Sequence, residues 1–264
     1  MELQLPAGNP EHPKPLRLLA IVFLTAIALN WCFSGICPAH TPECLLGYDI
    51  DTYVSFTVNG SYEGWGGRNT LYASNELPVA LSLLRLNPFR LMGEWFAYRV
   101  FMLFFMLLSG VLVVGFLRKR FSSVVLPGVV IWLFNPLNYR LFLDLTQNLV
   151  GNVVGLSGLV FVVFDRPKTG FLVLLLGFFV HQSMFFWVVV GIVFWLEKEY
   201  LVVFLAWVLL LGGFMLDGGW RLWFMLPFCM VVLACALPVK YCRAVSVVTF
   251  ITFFLSPVLF MGSA

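Results

Sequence analysis

Residues 169–196 read TGFLVLLLGFFVHQSMFFWVVVGIVFWL, without an Asp, Glu, Lys or Arg. A membrane-crossing helix takes roughly 20 apolar residues. The stretch is therefore long for one span and short for two. Its middle holds the polar cluster Val180-His181-Gln182-Ser183. As one span, it places Lys198, Lys240 and Arg243 on the side opposite Arg118-Lys119-Arg120. As two short helices turning at His181, it returns those cations to the same side. Lys and Arg gather on one face of a membrane protein, the cytoplasmic one, which favours the broken hairpin. Short helices are tolerated in a bilayer where they line a protein cavity.

Working outward, the same pattern fills the chain. Charge-free runs occupy 18–42, 100–117, 121–139, 145–164, 201–216, 222–239 and 244–264. The 264 residues are 61% hydrophobic and 11% charged, with a mean hydropathy of +0.95. Water-soluble domains seldom have such a composition. Backbone polar groups in lipid must be satisfied within the segment, so the runs predict helices. Short alternating segments of the β-barrel kind do not occur. The expected fold is an all-α polytopic membrane protein of eight or nine spans, one integral domain over 1–264. It has a tail over 1–15 and a long loop over 37–93. Lys14 and Arg17 before the first run resemble the start of a signal peptide, but no A-x-A site follows, so the run is expected to stay as a span.

The hairpin divides the cations. Lys14, Arg17, Arg118, Lys119, Arg120, Arg166, Lys168, Lys198, Lys240 and Arg243 fall inside, with the N-terminus cytoplasmic. Arg68, Arg85, Arg90, Arg99, Arg140 and Arg221 fall outside. The net charge of +3 is spread over loops and forms no patch of the kind a nucleic-acid groove binder needs.

The long loop then lies outside. It carries Asp49, Asp51, Glu63, Arg68 and Glu76 among Gly, Trp, Tyr and Asn. In the heptapeptide GYDIDTY at 47–53, a helix puts Asp49 and Tyr53 on one face and turns Asp51 about 200° away. Asp49 is the candidate cavity carboxylate. Asp51 is its backup, or an ordinary acidic residue of a helix start. Further on, Asp144, Asn148 and Asn152 share one stripe of a span, the pattern of a cavity or of helix–helix hydrogen bonds. His181 is an intramembrane ionisable residue and a site candidate on that ground; a structural, satisfied histidine is the alternative. Arg221 follows the turn Asp217-Gly218-Gly219-Trp220. It is either a phosphate fork or a snorkelling side chain. The tryptophans at 31, 65, 95, 132, 187, 195, 220 and 223 are expected mostly in the interfacial belt. Cys37 and Cys44 pair in an oxidising compartment or remain free thiols. No CxxC pair marks a zinc site, and no nucleotide loop, Rossmann glycine pattern or HExxH occurs.

Several of these stretches together resemble the GT-C superfamily of polytopic glycosyltransferases and the related EpsG-type polysaccharide polymerase proteins. Residues 47–120 carry most of the likeness, with Asp49 and Tyr53 matching the EpsG-type opening. Residues 144–155 resemble the polar start of a later span, and 172–186 the histidine-containing turn. The resemblance implies an enzyme of the plasma membrane. It would transfer a sugar from a polyprenyl-phosphate-linked donor to an acceptor on the outer face. Asp49 and Asp51 would be catalytic, and Arg68, Asp144, Asn148, His181 and Arg221 would bind substrate. It names no metal ligand, yet leaves room for a divalent cation at the phosphate. The chain is short for this class, so a non-catalytic subunit that presents lipid to a membrane partner is the second expectation. A transporter would show repeated halves, and none are found.

Overall fold

The computed structural model describes residues 14–33, 83, 86–136, 138, 142, 146–181, 184–196 and 226–261. Among them the fold is all helical, with no strand. In chain order the helices are α1 (Lys14–Phe33), α2 (Glu94–Arg120), α3 (Val125–Leu133), α4 (Thr146–Val163), α5 (Pro167–Gly177), α6 (Met184–Trp195), α7 (Leu226–Ala236) and α8 (Val239–Met261).

Local chemistry sets the boundaries. Gly93 precedes α2 at φ 110, a backbone region that side-chain-bearing residues avoid. Arg118, Lys119 and Arg120 occupy the last turn of α2, where cations complement the helix dipole. Asp165 turns the chain between α4 and α5 at φ 63, a conformation that Asp tolerates. Pro167 then opens α5, where its missing N–H has no cost.

The decisive stretch is broken. α5 ends at Gly177, residues 178–180 form a turn, and α6 begins at Met184. The two helices run antiparallel. The Phe171 and Trp195 rings are 5.9 Å apart. Gly191 backs onto Leu174 and Phe171, and Gly177 onto Met184. A straight helix would hold Phe171 and Trp195 roughly 36 Å apart at 1.5 Å per residue. The hairpin packs on α4 through glycines. Gly158 and Gly170 lie so close that a Cβ on Gly170 would stand 2.6 Å from the Gly158 carbonyl oxygen.

The register places every described cation-rich turn at one end. Lys119 of α2 pairs with Asp165 at 3.0 Å, and the Arg120 guanidinium donates to the Phe194 carbonyl of α6 at 3.3 Å. α7 approaches the same end, since Cys235 and Leu117 both crowd Gly128 of α3. α8 departs from it, and its Phe250 and Phe253 reach Phe134 at the far end of α3. α1 runs opposite to α2, with Phe23 against Gly110 and Trp31 against Phe96 and Arg99. Lys14, Arg17, Arg118–Arg120, Arg166, Lys168, Lys240 and Arg243 thus share an end, as the hairpin topology expects.

One described helix, Phe96–Arg120, is long and apolar enough to cross a membrane. Leu16–Cys32, Ser122–Leu133, Asn148–Val163, Pro167–Gly177, Met184–Trp195 and Pro227–Ala236 are shorter apolar helices. The core gathers Trp132, Trp187, Tyr98, Phe116, Phe194 and Phe228, all under 2% exposed.

Candidate functional site

Of the residues expected at the site, Asp49, Asp51, Arg68, Asp144 and Arg221 lie outside the described residues. Asn148 and His181 are described, and the helix register brings them to one level. α4 runs parallel to α2, with Val160 beside Gly115 and Asp165 beside Lys119. α5 runs antiparallel to α4, with Gly177 beside Val154 and Leu174 beside Gly158. Extending both registers puts His181 level with Val150 of α4 and Phe105 of α2, between Asn148 and Asn152. That level is about 20 Å from Lys119 along α2. The hairpin tip is therefore recessed: α2 continues beyond it to Glu94.

His181 is 5% exposed. Its N–H donates to the Gly177 carbonyl at 3.0 Å, and its carbonyl accepts from the Met184 N–H at 3.2 Å, so the turn is pinned at both sides. Asn152 is fully buried, and its Oδ1 accepts from the Trp187 indole at 3.3 Å. Asn148 faces inward too: its Oδ1 is buried without a hydrogen-bond partner among the described residues.

A second polar group stands at the end of α3, and sequence reasoning missed it. The nine residues of α3 reach only the level of Ser109 and Gly110. There the Trp132 indole donates to Ser109 Oγ at 2.9 Å, and Leu133 meets Gly110. Beyond it, Asn135 and Asn138 are 1% and 0% exposed. Asn138 Nδ2 donates to the Trp132 carbonyl at 2.6 Å, which satisfies one of the carbonyls left open at a helix end. Its Oδ1 has no hydrogen-bond partner among the described residues. The available signal was Asn135-Pro136-Leu137-Asn138, two amides flanking a helix-stopping proline.

Trp132 and Trp187 also depart from the expected belt. Both are 0% exposed, because each indole N–H finds an acceptor inside the bundle. Trp31 and Trp195 do stand exposed at helix ends.

The level thus holds Ser109, Asn138, Asn148, Asn152 and His181, and no Asp, Glu, Lys or Arg among the described residues. A buried carbonyl oxygen without a donor costs about 1–3 kcal/mol. The two open amide oxygens can accept from neutral hydroxyl donors. No group of three or more His, Cys, Asp or Glu stands ready for a metal among the described residues. No protein-family model matches the chain, and neither a curated protein nor a solved structure matches it.

Proposed function

We propose that this chain is an integral protein of the plasma membrane with eight or nine spans and a cytoplasmic cation-rich end, and that it is a glycosyltransferase. It moves a sugar from a polyprenyl-phosphate-linked donor to a hydroxyl acceptor on the outer face. The observation that carries this is the hairpin tip. By turning at His181 the chain lowers an imidazole to the level of Asn148, Asn152 and Asn138, away from the cationic end. Neutral amides with open oxygens suit sugar hydroxyls. The exposed apolar rows on α1, α5 and α8 support the membrane setting, since soluble monomers rarely carry large apolar patches.

In this mechanism Asp49 takes the proton of the attacking hydroxyl as that oxygen bonds to the anomeric carbon. The bond from that carbon to the phosphate oxygen breaks, and polyprenyl phosphate leaves. The phosphate needs positive charge and hydrogen bonds more than an acid, supplied by Arg68 and Arg221. Asp144, Asn148 and His181 position sugar or acceptor, and Asp51 is held in reserve.

A specific observation favours a second proposal, a non-catalytic subunit that presents lipid to a partner. Trp187 already occupies Asn152, and Trp132 already engages Asn138, so part of the level is wired into the core. Turnover of a polyprenyl-phosphate sugar by the purified protein separates the two. Asp49→Asn should lower it by roughly 10²–10⁴-fold while donor binding persists. Full activity in that variant rules out the mechanism. A silent wild-type protein that co-purifies with a membrane enzyme establishes the subunit.

A further inference from the structure

At the cationic end, three peripheral helices repeat one arrangement. On α1, exposed Arg17 heads a row of Ile21 and Leu24, 58% and 64% exposed. On α5, exposed Lys168 heads Leu172 and Leu175, each more than half exposed. On α8, exposed Arg243 heads Val247, Ile251 and Phe254. The steps of three and four keep each row on one helix face. None of the three cations has an acidic partner among the described residues, where Asp165 is already paired with Lys119.

The arrangement selects its partner. A soluble polyanion would neutralise the heads and leave the apolar rows in water. A neutral lipid would cover the rows and leave the heads unmatched. An amphiphile with an anionic head and long acyl chains covers both. We infer that this end of the bundle binds anionic glycerophospholipids, each phosphate held by Arg17, Lys168 or Arg243 and its chains lying along the row that cation heads. This rests on the membrane setting proposed above and is independent of the sugar chemistry. The cation stems lie on the apolar face while the charges reach the headgroups. A cation near an anionic membrane surface contributes about 1 kcal/mol, roughly a five-fold preference for each.

The whole protein, reconstituted into phosphatidylcholine vesicles with and without phosphatidylglycerol, provides the test. Native mass spectrometry of the released protein should show phosphatidylglycerol retained over phosphatidylcholine by about five-fold per row. The triple variant Arg17→Gln, Lys168→Gln, Arg243→Gln should still insert into neutral vesicles and lose the preference. Arg243→Lys should keep it, since the charge remains. Equal retention of both lipids, or a preference unchanged in the triple variant, overturns the inference alone. Failure of the wild-type protein to enter either vesicle overturns the membrane setting and the inference with it.

Discussion

Gly155 shows how tightly the candidate level is built at the scale of single residues. A Cβ there would stand 2.2 Å from Cδ1 of Trp187 and 2.4 Å from its Nε1. Trp187 cannot retreat, because Phe186 and Phe228 flank its ring at 5.5 and 4.8 Å. Gly155→Ala should therefore overpack the core by about 1–3 kcal/mol and disturb the indole bond to Asn152. Gly115 is the control: its nearest neighbour, Val160, is 4.0 Å away. Gly115→Ala should be neutral or stabilising by up to about 1 kcal/mol, as alanine suits a helix better. Thermal unfolding in detergent reads both, and equal loss in the two variants would contradict this packing. The amides were only partly legible in the sequence. Asn148 and Asn152 fall four apart on one helix, a spacing that periodicity reveals. Asn138 bonds to the Trp132 carbonyl six residues back, a local helix-end contact with no helical periodicity to reveal it.

At the scale of elements, the interruption at His181 was legible because three polar residues in an apolar run disfavour a continuous lipid-facing helix. The depth of the turn was not legible. It depends on α5 having only eleven residues and on the close glycine contacts with α4, which emerge only when helices pack. The depth at which α3 ends was equally hidden, although Asn135 and Pro136 mark the end itself. The chain stops there because Pro136 brings no N–H and Asn138 takes the Trp132 carbonyl. The hairpin can be checked directly. In a background without native cysteines, Phe171→Cys with Trp195→Cys should be joined by a short bifunctional maleimide, as the rings they replace are 5.9 Å apart. No product, with each cysteine labelled singly, would mean the two helices do not fold back on each other.

For the whole molecule, the one-ended cation distribution becomes a statement of orientation. Positive residues accumulate on the cytoplasmic side because their transfer across the bilayer is disfavoured. In the proposed membrane setting, the end with Arg118, Lys119, Arg120, Arg166, Lys168, Lys240 and Arg243 is expected inside. The opposite end, with Arg99 stacked at 5.7 Å over Trp31, is expected outside. Two exposed positions report on these ends without touching the core. Ser122 lies in the short 3-10 turn that follows α2 at the cationic end. Leu91, 97% exposed, lies in the 3-10 turn Pro88–Met92 before α2. With native cysteines removed, Leu91→Cys should react with a membrane-impermeant maleimide in intact cells. Ser122→Cys should react only after permeabilisation. The reverse pattern would invert the orientation and move the proposed chemistry to the cytoplasmic face. Equal labelling of both positions in sealed vesicles would remove the membrane-spanning arrangement of α2, and the lipid-linked donor would lose its setting.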